Sequence, residues 1–195
     1  MRLPYVEETP KFLDPNDQAV VERVKERRGG NLIALDRALL NAPPVADGWN
    51  SFLDSIRTKT TIPDSIRELA ICRIAVLNKA WYEWDAHLPI LEATGAVSKD
   101  AISYLRSKPV HEEACRTGES QDLLDEQHAA VLDYTDAMTI GCVVPNPVFV
   151  RLENMFSERE VTEITATVAA YNCVSRFLVA LDVGEMVKKY GADGP

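Results

Sequence analysis

Arg67-Glu68-Leu69-Ala70-Ile71-Cys72-Arg73-Ile74-Ala75, followed by Trp81-Tyr82-Glu83-Trp84-Asp85-Ala86-His87, is the stretch on which the fold turns. Its apolar positions recur at helical rather than alternating spacing, so it reads as two helices. The first runs from Pro63 to about Lys79. The second runs from about Ala80 to Thr94, where Gly95 supplies the residue that ends a helix most readily. Glu68 shares a face with Ile71, Cys72 and Ala75. A carboxylate on an apolar face costs desolvation energy unless it finds a donor. Glu83 and His87 lie one turn apart and are neighbours on the second helix.

Working outward, the same period recurs through the chain and strand signals are nearly absent. Prolines 4, 10 and 15 mark residues 1–15 as an extended arm. A helix with Asn16 or Asp17 as its cap is expected up to Gly29-Gly30, and a short one capped by Asn31 up to Leu40. Pro43-Pro44 opens a helix with Val45, Trp49, Phe52, Leu53 and Ile56 on one stripe. Ser98 caps a helix to about Ser107, and residues 108–120 show no period and read as a loop. A helix from Asp122 to about Met138 follows, then a short one over 147–155. Ser157 with Glu160 forms a capping box opening a long helical stretch to about Lys189, interrupted by Gly184. The prediction is an all-α protein of about eight helices, with one domain over residues 16–195.

Composition narrows the function. The 195 residues carry 21 Lys+Arg against 30 Asp+Glu, a net charge of −9. Binding a polyanion needs clustered Lys and Arg, so no nucleic-acid partner is expected. No window resembles the roughly eighteen apolar residues of a membrane span, so no membrane partner is expected either. Cys72, Cys115, Cys142 and Cys173 are scattered, with no short-spaced pair for zinc or redox chemistry. Cys72 and Cys173 read as small hydrophobes in apolar helices. The expectation is a soluble, reduced, cytoplasmic protein.

Glu68, Glu83 and His87 beside Trp81, Tyr82 and Trp84 make up two carboxylates and one imidazole in an apolar setting, which suits proton transfer on a bound organic acid. Spacing alone leaves a second reading open. On that basis His87 reads more readily as a core or interface histidine than as a catalyst, Glu83–His87 reads as a surface pair, and Glu68 as a partner of Arg67, Arg73 or another subunit. Asp125 with His128, and His111 with Glu112 and Glu113, fall short of a zinc or iron ligand set and read as exposed. No metal or cofactor is expected, and no local motif supports a serine or cysteine triad. Asn172 and Arg176 are one turn apart, and Arg176 reads as a buried ion-pair member or a clamp for a substrate carboxylate.

On these residues the chain resembles the carboxymuconolactone decarboxylase family, which shares its helical fold with alkyl hydroperoxidase D. The similarity runs from Arg28-Gly29-Gly30 through Ala42-Pro43-Pro44 and Arg67-Glu68-Leu69-Ala70 to Tyr82–His87, with a weaker echo over Tyr171–Arg176. The peroxidase branch uses a glutamate, two cysteines three apart, and a histidine four residues after the second. Glu68 and His87 match the glutamate and histidine, but Ala80 and Glu83 stand at the cysteine positions. The resemblance therefore implies the decarboxylase-type branch: a cofactor-independent lyase acting on a small carboxylated lactone. It implies His87 as general acid/base, Glu68 as its orienting partner and Glu83 as a tuning charge. It also implies Arg73 or Arg176 on a substrate carboxylate, Trp84 and Tyr82 as walls, and a homo-oligomer, trimeric or hexameric. The arm before Pro15 and the loop 108–120 are candidate lids. The alternatives are a tautomerase, dehydratase or cyclase, a hydroperoxidase-like protein using Cys72 or Cys173, and a non-catalytic oligomeric binding protein.

Overall fold

The computed structural model of the chain describes residues 1–107 and 123–191. Among these are ten helices and no strand: α1 (Pro15–Arg27), α2 (Ala34–Leu39), α3 (Pro43–Thr58), α4 (Asp64–Leu77), α5 (Trp81–Ala93), α6 (Lys99–Ser107), α7 (Glu126–Gly141), α8 (Asn146–Glu153), α9 (Glu158–Leu181) and α10 (Met186–Tyr190). The all-α expectation holds, with more helices than foreseen. The loop expected over 108–120 and His111, Glu112, Glu113, Cys115 and Asp122 lie outside the described residues.

The chain forms two compact units, residues 1–59 with 178–195, and residues 60–177. In the first, α1 packs along α3. Val20, Val21 and Val24 of α1 and Leu53 and Ile56 of α3 are buried, whereas Val45 and Phe52 stay about half exposed, so the stripe foreseen on α3 is narrower. The arm before Pro15 is tied to this unit. Val6 donates its amide to the Arg37 carbonyl and accepts from the Arg37 Nε, and Arg2 donates to the Leu181 carbonyl. Those bonds tie down the arm that the sequence offers as a candidate lid.

Several helix ends differ from expectation for local reasons. α1 starts earlier, because Asp14 is the cap, accepting from the Asn16 amide at 2.8 Å, and Pro15 takes the first helical position. Proline needs no amide partner there, so the residue read as the end of the arm opens the helix. α2 is held at its start by Asp36 accepting from the Ile33 amide, not by Asn31. α7 begins at Glu126 with Asp125 as cap. The last stretch breaks after Leu181, where Asp182, Gly184 and Glu185 take positive φ. Ser98, the Ser157–Glu160 box and Gly95 act as foreseen.

In the second unit, α4 is the central helix, buried continuously from Ser65 to Ala75, and it packs chiefly on α5 and α7. Ile66, Leu69, Ile71 and Ile74 meet a core that includes Leu91, Val131, Leu132, Ile164 and Val168. An all-round buried helix explains why its apolar pattern is nearly continuous. α9 is long and apolar enough to cross a membrane, with a window of mean hydropathy 1.4, which corrects the reading that no window approaches a span. Its apolar side chains Ile164, Val168, Ala170, Tyr171 and Val174 are buried in the protein.

The turn into α4 is pinned by Glu163 of α9, whose Oε2 accepts from the Thr61 amide and hydroxyl and the Ile62 amide. Burial pushes this carboxyl up, but hydrogen bonds from Arg159, Thr61 and Ile62 outweigh it and hold its pKa below the ordinary value. A depressed folded pKa adds stability above the unfolded pKa and loses it as pH falls. Glu163→Gln is therefore expected to melt below wild type at pH 7, with the gap closing below about pH 4. Parallel melting curves across that range would expose the error if the gap is independent of pH.

Candidate functional site

α4 and α5 run side by side, and this places Glu68 and His87, nineteen residues apart, in contact. His87 Nδ1 lies 2.6 Å from Glu68 Oε2. A carboxylate only accepts, so Nδ1–H donates and the neutral ring carries its lone pair on Nε2. Glu68 and His87 are 2% and 7% exposed, which removes the bond from competition with water. The other Glu68 oxygen accepts from Arg67 Nε at 3.3 Å, and Arg67 reaches back to Asp64 at 2.8 Å. The result is a charge-alternating chain, Asp64–Arg67–Glu68–His87, running from a mostly exposed carboxylate to a buried imidazole. Asp64 was not foreseen as part of it, whereas Arg67 was one of the partners the sequence offered Glu68. Tyr171 of α9 closes one side, its ring edge-on to the imidazole at 5.1 Å between centroids and 89° between planes.

Glu83 stands one turn before His87 on α5 and is only 2% exposed, with both carboxylate oxygens buried. The surface-pair reading of Glu83 and His87 is thus excluded by burial. Trp81 and Trp84 are buried beside it and Tyr82 is half-buried. The carboxylates also act on Cys72, one turn after Glu68. Burial first, then the charges of Glu68, Glu83 and Glu92, push its thiol pKa well above the ordinary value. A peroxidatic thiol needs the opposite environment. Cys173 is exposed, not the packed hydrophobe expected, and Cys142 is exposed as well. With the native protein, iodoacetamide is expected to modify Cys142 and Cys173 and to spare Cys72 until denaturant is added. Peptide mapping that finds Cys72 alkylated at a similar rate would refute this.

Two of the expected substrate-binding groups are otherwise employed. Arg73 is fully buried and makes a bidentate pair with Asp136 of α7 at 2.6 and 3.1 Å, with Nη1 donating to the Leu105 carbonyl at 2.7 Å. Its role is to join α4, α6 and α7, and this corrects the reading of Arg73 as a carboxylate clamp. Arg176 is exposed, not buried among Phe177 and Leu178, and donates to the carbonyl and side-chain oxygen of Asn172. Asn172 in turn donates to Thr139 at 2.9 Å and accepts from Asn78 at 3.1 Å, and Asn78 also donates to Ser175 at 2.7 Å. Asn172 and Arg176 therefore belong to a polar seam between α4, α7 and α9.

His128 differs most from its sequence reading. It is buried rather than exposed, with Nδ1 2.8 Å from Asp125 and Nε2 3.0 Å from the Ser65 hydroxyl. Burial pushes the Asp125 carboxyl up, yet bonds from the His128 amide and ring hold its pKa below the ordinary value. Among the described residues, no three His, Cys, Asp or Glu side chains gather as a metal would require.

No family profile and no curated protein matches the sequence. Solved structures do. An alkylhydroperoxidase AhpD core structure, an uncharacterised peroxidase-related protein from Ralstonia eutropha, matches with TM-score 0.69 at 18% identity over 93% of this chain and 90% of that one. An uncharacterised peroxidase-related protein from Silicibacter matches with TM-score 0.67 at 15% identity, covering 92% of this chain and 91% of that one. The debrominase Bmp8, solved as a cysteine-to-alanine variant with 2,3,4-tribromopyrrole, matches with TM-score 0.62 at 17% identity over 91% and 92% of the two chains. At these identities the likeness establishes architecture: this chain has the helical fold of the alkyl hydroperoxidase D-like proteins.

Proposed function

We propose that the chain is an acid–base enzyme, a lyase that decarboxylates a small carboxylated lactone or related enolisable ring without a bound cofactor. The observation that carries this reading is the buried 2.6 Å bond from His87 Nδ1 to Glu68. It holds the imidazole in one tautomer and stabilises the imidazolium form, as general acid–base catalysis requires. When the carbon–carboxylate bond breaks, its electron pair passes into the conjugated ring carbonyl. His87, whose Nε2 has first taken a proton from solvent, then delivers that proton to the carbon and returns to the neutral ring. Glu68 orients and balances the ring charge, and Glu83 adds a second buried negative charge one turn away. Tyr82 and Trp84 line the substrate side. The structural neighbour solved with tribromopyrrole supports a small ring as the ligand class.

The test is a panel of carboxylated lactones and enolisable ring acids, followed by carbon dioxide release and by loss of ring absorbance. Carbon dioxide formed in step with absorbance loss supports the lyase. Deuterium exchange into the ring without carbon dioxide would reassign the same residues to a tautomerase. No exchange and no turnover across the panel would remove the acid–base reading.

A further inference from the structure

Ser65, His128 and Asp125 stand 63 and 3 residues apart and meet where the N-terminal ends of α4 and α7 come together. Ser65 Oγ is 3.0 Å from His128 Nε2, and both Asp125 oxygens are 2.8 Å from His128 Nδ1. The carboxylate fixes the proton on Nδ1, so Nε2 accepts from the serine hydroxyl. That is the bonding order in which an imidazole activates a serine as a nucleophile. The backbone around Ser65 suits the same chemistry. α4 has Pro63 as its cap, which offers no side-chain acceptor to the first amides. Ser65 stands in the first turn of this 14-residue helix, where the Ser65 and Ile66 amides have no partner within the helix and are available to an oxyanion. Ser65 and His128 are 7% and 6% exposed, whereas the Asp125 side chain is 63% exposed. With so little of Ser65 exposed, the centre suits small reactants.

We infer that Ser65 is a second reactive centre, separate from Glu68 and His87, that takes the acyl group of small activated esters. In the step, Ser65 Oγ bonds to the ester carbonyl carbon while its proton moves to His128 Nε2. The tetrahedral oxyanion sits on the Ser65 and Ile66 amides. It collapses by breaking the bond to the alkoxy oxygen, which leaves with the proton from His128. Water, deprotonated by the same imidazole, then releases the acid and restores the serine.

A short-chain fluorophosphonate is the direct probe, since it captures an activated serine and leaves an ordinary one untouched. Intact mass and peptide mapping of the full chain are expected to show one adduct, on Ser65. The adduct should be absent in Ser65→Ala and should form about a hundredfold more slowly in His128→Gln. Asp125→Asn should slow it too, because the carboxylate no longer fixes the proton on His128 Nδ1. p-Nitrophenyl acetate should be hydrolysed in parallel, with an initial burst of about one nitrophenolate per chain. His87→Ala is expected to label at the wild-type rate, which keeps this centre distinct from the acid–base site. Should Ser65→Ala fail to fold, the mapped wild-type adduct and the His128→Gln rate carry the test. An inert Ser65 in the folded wild-type protein, or an adduct mapped elsewhere, overturns the inference and leaves the three residues as a tie between α4 and α7.

Discussion

Asp136→Ala is expected to cost about 3–5 kcal/mol of folding stability, a large part of what a domain of this size possesses. Arg73 has no exposed surface, and its guanidinium is neutralised by both oxygens of Asp136. Removing the carboxylate leaves a positive charge in the core with no exposed surface of its own. In a chain of this length the loss corresponds to a fall in melting temperature of roughly 6–20 °C. The double variant Arg73→Met, Asp136→Leu removes both charges and keeps much of the volume. It is expected to recover most of that loss, because a buried ion pair gains little over apolar packing. Urea unfolding of the two variants checks both statements. A single variant within about 1 kcal/mol of wild type would show that the core accommodates the lone guanidinium.

His87→Ala is expected to lower turnover of the ring substrate by about 10²- to 10⁴-fold. It should also lower the melting temperature, because it leaves a buried cavity and the buried Glu68 with only Arg67. Glu68→Gln should give a smaller loss and move the pH profile. The amide keeps a bond to Nδ1 but offers no negative charge to the imidazolium, and it can present its NH₂ to the opposite tautomer. Rates for both variants, measured with the melting curve of each, separate the role in chemistry from the role in packing. Undiminished turnover in His87→Ala would end the proposed mechanism. Loss of turnover only in parallel with loss of folding would make His87 a core residue.

How much of this was legible in the chain depends on the range of the interaction. Ser157 with Glu160, Ser98 before α6 and Gly95 after α5 act within one turn, and their partners are written next to them. Asp14-Pro15 carried a start signal of the same kind, obscured because Pro15 also fits the end of an extended arm. The break after Leu181 was harder, since Asp182 and Glu185 take positive φ without being glycine. Residues other than glycine seldom adopt those conformations, and propensity does not anticipate them.

The charged residues divide more sharply. By itself the sequence determined that the chain is helical, that Glu83 and His87 share a face, and that Glu68 sits on an apolar one. The helical hydrogen-bond period fixes such relations over three or four residues whatever lies around them. Which partner each charge takes was decided only when the helices packed. Desolvation forces every buried charge to find a counter-group, and the crossing of α4 with α5 and α7 selects it. So Glu68 met His87, Arg73 met Asp136 rather than a substrate, and Ser65 met His128. A helix carries no record of its neighbour's register, and these pairings exist only in the packed protein.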